Sequence, residues 1–294
     1  MRLYTVEKDG KRFVAAGYAD CDGLWPVREC FGIEADCMLD LVCCSEKQAQ
    51  LAKFETKPEG EAPLKLADVT LCAPIPNPVG DVMCLGVNYY AHLVESNKAG
   101  HVSLEQKGHT VYFSKRVDEA VPCGGVVPSH RDICDRLDYE VELGVVLGKD
   151  AKKVTRENAL DCVFGYTIIN DISARNIQEE HKQWYFGKSL DGFCPMGPCI
   201  VTAAEFGDPK GHALCSIING ELRQNSNTEL MMQDVPGLLT ELSAGVTLKA
   251  GTVIATGTPA GVAMGMNPPK WLQPGDTVEC KIEGIGSLIN TIGE

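Results

Sequence analysis

Two glutamates stand two residues apart in Asp138-Tyr-Glu140-Val-Glu142-Leu, and that spacing has chemical meaning. On a strand, residues i and i+2 project from the same face, so Glu140 and Glu142 share one side while Tyr139, Val141 and Leu143 take the other. Carboxylates held side by side repel unless a cation sits between them; a solvent-facing strand would tolerate the same pattern without one. A third carboxylate weighs toward the cation. Asp171 ends CVFGYTIIND (162–171), a run apolar enough to be buried, and a charge at the mouth of a buried strand needs a partner. Glu140, Glu142 and Asp171 would offer three oxygen ligands, which suit Mg²⁺ or Mn²⁺, with Ca²⁺ as a structural substitute, better than zinc. Three carboxylates and one divalent ion leave a charge of −1, and Lys188, in YFGKSLDGF, brings the pocket to neutrality if it lies nearby rather than on the surface.

A second constellation is Asn88-Tyr-Tyr-Ala-His92-Leu-Val-Glu95. Asn88 is placed to cap a helix after the apolar run VMCLGV. On that helix His92 and Glu95 are i and i+3 and face each other. A carboxylate beside an imidazole orients the ring and makes it a general base for water; an incidental pair on an exposed helix is the plainer alternative. The polar stretch SNKAGHVSLEQKGH (96–109) would follow as a lid loop. A third feature is TVIATGTPAGV (252–262), where a strand runs into Gly257-Thr258-Pro259 and Gly261. Small residues there let a ligand approach the backbone and Thr258 offers a hydroxyl, although a plain turn would look the same. Common alternatives fail on inspection: there is no G-x-G-x-x-G after a strand, no H-E-x-x-H and no G-x-S-x-G, and GKS at 187–189 lacks the upstream glycine of a phosphate loop.

Strands must carry most of these groups. VMCLGV (82–87), TVYFSK (110–115), DYEVELGVVLG (138–148), CVFGYTIIND, CIVTA (199–203), ALCSIING (213–220), TVIATG (252–257) and TVECKIEGIGSLINTI (277–292) are rich in Val, Ile, Thr and aromatics and bounded by turn formers. Helical patterns are fewer: the stretch after Asn88, residues 172–183, and MMQDVPGLLTELS (231–243). Strands and helices do not alternate regularly, so the expectation is a mixed, largely antiparallel, β-rich α+β fold with peripheral helices. Residues 1–55 offer short strands at Arg2–Val6 and Arg12–Ala16 and a helical stretch over 40–54. The Pro/Gly-rich segments KPEGEAP (57–63) and APIPNPVGD (73–81) place a boundary near residue 75, giving a small N-terminal domain, 1–75, and a larger one, 76–294.

Composition narrows the function. Lys plus Arg number 27 against 40 Asp plus Glu, a formal charge of −13, which argues against nucleic-acid or membrane-surface partners. No run approaches the length needed to span a bilayer, and MRLYTVEKDGKRF is too polar for a secretory leader, so a cytoplasmic enzyme is expected. The 14 cysteines lack a C-x-x-C pattern and read as reduced, small apolar residues, with a thiol-based redox or metal site as the minor alternative.

Seven segments in order resemble the fumarylacetoacetate hydrolase family across residues 76–294: NYYAHLVES, VYFSK, LDYEVELGVVLG, GYTIINDISARNIQ, GKSLDGFCPMGP, ATGTPAGV and PGDTVECKIEGIGSLIN. The resemblance implies a mixed β-sandwich roll, usually a homodimer. It implies a metal on Glu140, Glu142 and Asp171, a catalytic Lys188, a water-activating His92 and Glu95, and contacts from Arg175, Gln178 and Thr258 to the carboxylate and oxo groups of a small anionic 2-oxo acid. Asn176 departs from the family, where S-A-R-D is commoner. The N-terminal segment resembles that of members named 2-hydroxyhepta-2,4-diene-1,7-dioate isomerases or related decarboxylases. The function expected is divalent-metal-dependent hydrolysis of a C–C bond in an acylpyruvate- or fumarylpyruvate-type acid. Isomerisation or decarboxylation of the same enolate, or metal and ligand binding without turnover, are the alternatives.

Overall fold

The computed structural model describes residues 1–98, 100 and 110–294; most of the lid expected over 96–109 lies outside the described residues. Among these, an eleven-stranded mixed sheet has the path Leu64–Lys65, Gly23–Pro26, Lys11–Gly17, Arg2–Lys8, Met196–Thr202, Val163–Asn170, Val141–Leu147, Val253–Ala255, Val82–Gly86 and Val111–Lys115, with Thr70–Leu71 beside Arg2–Lys8. Its neighbours pair antiparallel except Val253–Ala255 with Val82–Gly86. A five-stranded sheet runs Glu221–Asn227, Ala213–Ile218, Thr277–Ile282, Gly286–Ile292 and Val126–Val127. The β-rich α+β class expected from the strand-forming runs is the one observed.

Side-chain alternation explains the layering. In Val141–Leu147, Val145 and Leu147 join a core that includes Leu214, Ile218, Val278 and Ile282 of the smaller sheet. Val146 points the other way, into a second core with Leu3, Val14, Ile169, Met196 and Val253. Both faces of the strand are therefore covered, and all seven of its residues are buried, Glu142 among them. The N-terminal hairpin extends the same sheet: Arg2 pairs with Val201 and Leu3 with Ile200.

Local differences from the sequence expectations have physical causes. The strand around the Glu-x-Glu pair is interrupted: Leu137–Asp138 pairs with Ser173–Ala174, residues 139–140 are irregular, and the main strand begins at Val141. The helix expected over 172–183 is shortened to Arg175–Glu180, because Ser173–Ala174 is used in that ladder. The stretch 40–54 divides into Met38–Val42, Ser45–Leu51 and a 3₁₀ turn, Ala52–Phe54. Asn88 does not cap the helix Tyr90–Lys98. Its buried carboxamide donates to the Gln233 and Thr256 carbonyls, at 2.9 and 2.8 Å, and accepts from Gln233 N–H at 2.8 Å, so tertiary bonds take the groups a cap would use. Glu221–Asn227 is too polar to read as a strand, and only Gln224 on it is fully buried.

Candidate active site

Two adjoining strands, a third at the far edge of the same sheet and two short helices bring the acidic and basic groups together. Glu142 sits in Val141–Leu147, Glu140 just before it, and Asp171 just after Val163–Asn170, whose register pairs Asn170 with Val141. One carboxylate oxygen from each of the three lies within 4.8 Å of the others, and all three residues are buried. Lys188, the last residue of the helix Tyr185–Lys188, donates to Glu140 Oε2 and Asp171 Oδ2, each at 2.7 Å. The neutralising lysine anticipated from charge counting is thus in place, but it is not alone. Lys115, at the end of Val111–Lys115, lies 2.6 Å from Asp171 Oδ1 and also donates to the Ile172 carbonyl at 3.0 Å and to the Phe193 carbonyl. Arg175 reaches Glu140 Oε1 at 2.5 Å, Asp138 Oδ2 at 2.9 Å and Gln178 Oε1 at 3.0 Å.

The electrostatics follow from this wiring. Burial pushes the Glu140 carboxyl up, but Lys188 and Arg175 outweigh it and hold it at about 2. Among the described residues, no such cation contacts Glu142. Burial first, then the neighbouring Asp171 and Glu140 charges, raise it well above the usual 4.5, against one Gly257 N–H bond of 2.8 Å. Burial lowers Lys188, yet Asp171 and Glu140 raise it above its ordinary value overall, so it stands as a fixed ammonium. Glu142 therefore marks where positive charge is wanting. An all-oxygen donor set beside an under-compensated carboxylate fits a hard divalent cation, with Glu140, Glu142 and Asp171 as the groups that would hold it.

A cavity of about 400 Å³ opens onto this cluster. Glu140, Glu142 and Lys188 line one side; His92 and Ser96, from the helix Tyr90–Lys98, line another; Gln178, Lys182, Trp184, Thr258 and Met264 complete much of the wall. His92 Nδ1 is 3.1 Å from Glu95 Oε2, and His92 is buried, so the pair is not an exposed-helix accident. Glu95 also accepts the Gly261 N–H, at 3.0 Å to Oε1. Thr258 donates its hydroxyl to the Val141 carbonyl at 3.0 Å and accepts from Gln224 Nε2 at 2.7 Å. Val87, also in the wall, holds φ at 57°, a costly value for a β-branched residue.

Glu140, Glu142, Lys188, His92, Arg175, Gln178 and Thr258 line this one cavity, Asp171 and Glu95 lie behind Lys188 and His92, and three buried partners went unforeseen. Lys115 was visible only as the last residue of VYFSK. Asp138 preceded the Glu-x-Glu pair but lacked a reason to matter until its carboxylate met Ala263 N–H at 2.7 Å and Arg175. Gln224 lay in a segment with no apolar signal. Among the described residues no cysteine joins the ligand cluster: all fourteen are free thiols, and burial first, then the Asp171 and Glu142 charges, push the nearby Cys84 thiol up.

Residues 81–293 match the family model described as fumarylacetoacetate hydrolase C-terminal. Oxaloacetate tautomerase YisK of Bacillus subtilis is 42% identical over 247 residues, 83% of this chain and 81% of that protein. The structure of a fumarylacetoacetate hydrolase from psychrophilic Exiguobacterium antarcticum superposes with a TM-score of 0.85 at 40% identity, covering 100% of this chain and 99% of that one. Maleylpyruvate hydrolase from Sphingobium sp. SYK-6, solved with manganese(II) and pyruvate, gives a TM-score of 0.77 at 27% identity, with both chains covered in full. With a family model spanning most of its length and relatives at this identity, the chain belongs to the fumarylacetoacetate hydrolase family.

Proposed function

We propose that this protein is a divalent-metal-dependent enzyme that hydrolyses a C–C bond in a small 2-oxo acid of the acylpyruvate or fumarylpyruvate type. The observation that carries the reading is the opening of one cavity onto both a buried three-carboxylate cluster and a buried His–Glu pair. Glu140, Glu142 and Asp171 would hold the ion, and when bound it would supply Lewis-acid stabilisation for negative charge on the 2-oxo oxygen. That the Sphingobium hydrolase was solved with manganese(II) and pyruvate supports a divalent ion working on an oxo acid.

The chain's own residues do the rest. Lys188 adds a fixed positive charge beside the developing enolate. Arg175, engaged by Asp138, Glu140 and Gln178, braces Glu140 and aims Gln178 at the substrate's polar end. Thr258 still has a lone pair for a substrate donor and holds the cavity wall to the central strand. Glu95 fixes the His92 tautomer with Nδ1–H toward the carboxylate, leaving Nε2 as the base. His92 then takes a proton from water as its oxygen attacks the distal carbonyl; the C–C bond breaks, the attacked acyl group leaves as a carboxylic acid, the bond's electron pair forms the enolate of the other fragment, and the proton on His92 returns to that fragment's carbon to give the free 2-oxo acid.

A second reading rests on the tautomerase name of a relative 42% identical to this chain. There His92 moves a proton between carbon and the enol oxygen, and no C–C bond breaks. One assay set separates the two: acylpyruvate and fumarylpyruvate cleavage, oxaloacetate keto–enol conversion, and oxaloacetate decarboxylation, each with Mg²⁺ or Mn²⁺ and after EDTA. Cleavage that EDTA abolishes and either ion restores supports hydrolysis. Oxaloacetate interconversion without cleavage transfers the assignment to the tautomerase. Full activity in metal-free protein would end both.

A further inference from the structure

The base pair is held by a seat that has no side chain. Glu95 lies across Gly265, the last residue of the short turn Ala263–Gly265. A Cβ placed on Gly265 would sit 2.0 Å from Glu95 Oε1 and 2.1 Å from both its Cδ and Cγ, and those are the nearest atoms it would meet. Real Cβ contacts do not come so close, so any side chain at 265 must displace the Glu95 carboxylate. Gly265 is not in the left-handed region, unlike Gly257 and Gly261, so its backbone tolerates alanine and the conflict is with Glu95 itself. Glu95 is also fixed from the same segment, by Gly261 N–H. That segment reaches the carboxylate cluster too: Gly257 N–H bonds Glu142 Oε2, and the Ala263 and Met264 N–H groups bond Asp138.

We propose that Gly265 is a positioning residue whose missing side chain seats Glu95, and through Glu95 sets the tautomer and orientation of His92. The functional half of this statement rests on His92 acting as the base; the seat itself does not. The loop from Gly257 to Gly265 would then hold the water-activating pair in a fixed relation to the metal-binding carboxylates, so that both halves of the chemistry share one ruler.

The test uses Gly265→Ala, Glu95→Asp, the double variant and His92→Ala in the full-length protein. ¹⁵N-histidine NMR of the Mg²⁺-loaded protein reads the His92 tautomer without needing turnover. Gly265→Ala should fold, bind Mn²⁺ as the parent does, and lose the Nδ1–H signature of His92. Aspartate keeps a carbon at the Cγ position, 2.1 Å from where the added Cβ would sit, so the double variant should stay without that signature. In turnover, Gly265→Ala should lower kcat about tenfold or more with little change in KM, within the ~100-fold or greater contribution of a general base. Adding Glu95→Asp should cost less in the alanine background than alone. An unchanged His92 tautomer in Gly265→Ala, or two substitutions whose effects simply add, overturns the seat. If the tautomer moves as expected while His92→Ala keeps full turnover, the seat stands and the base assignment falls.

Discussion

At the scale of single residues, the two glutamates face one cavity but do not share an environment. Glu140 is braced by Lys188 and Arg175 and held at about 2, while Glu142 is raised above 4.5 by burial and by its acidic neighbours. The signs of their pH effects are opposite. Glu140 has a lowered folded-state value, so its stabilisation is present above 4.5 and lost as pH falls toward about 2. Glu142 has a raised one, so in metal-free protein its stabilisation is full below 4.5 and lost as pH climbs through the higher folded-state value. A divalent ion competes with the proton on Glu142 and should cancel that loss. Thermal unfolding from about pH 5 to about pH 8 should therefore show the Mg²⁺-induced rise in Tm growing with pH. An increment constant across the range would mean Glu142 does not exchange a proton for the ion. Lys115 gives a second prediction. It is buried and paired to Asp171 at 2.6 Å, so Lys115→Met leaves a buried carboxylate without that partner. Chemical denaturation should report a loss of about 3–5 kcal/mol, and a loss under about 1 kcal/mol would show that the pair is dispensable.

At the scale of elements, what could be read in advance were the runs whose burial is written in their own composition. Val163–Asn170 and Val141–Leu147 are apolar because both faces are covered, and the carboxylates at Glu142 and Asp171 stood out against that background. His92 and Glu95 were legible because i, i+3 spacing is a local rule. Lys115, Asp138 and Gln224 were not, since each becomes significant only through a partner far away in sequence. Gln224 shows the limit best. Its strand buries little else, yet its carboxamide accepts Val141 N–H at 3.1 Å and donates to Thr258 Oγ1 at 2.7 Å and the Pro259 carbonyl at 2.8 Å. It ties the smaller sheet to the central strand and to the cavity loop. Gln224→Ala should strand these groups and cost about 2–4 kcal/mol in urea unfolding with an unchanged m-value. A cost near zero would mean that water replaces all three bonds.

At the scale of the whole molecule, a chain with a formal charge of −13 is expected to receive an anion. The cluster itself does not resolve the conflict: Asp138, Glu140, Glu142 and Asp171 carry four negative charges against three positive ones from Lys115, Arg175 and Lys188, leaving −1. One divalent ion would turn that to +1, so on the proposed function attraction would be local, buried and metal-dependent, while the envelope repels at long range. Salt distinguishes the two, because the screening length falls from about 30 Å at 0.01 M to about 8 Å at 0.15 M and acts far more on exposed charges than on buried ones. Raising NaCl across that interval should remove most of the envelope's repulsion and leave the cavity's attraction nearly intact. For a dianionic 2-oxo acid and metal-loaded enzyme, kcat/KM should then rise, by about two- to threefold, and rise less for a monoanionic one. A steep fall with salt would instead mean that a positive field around the mouth steers the substrate, with Lys182 in the cavity wall as the first residue to replace.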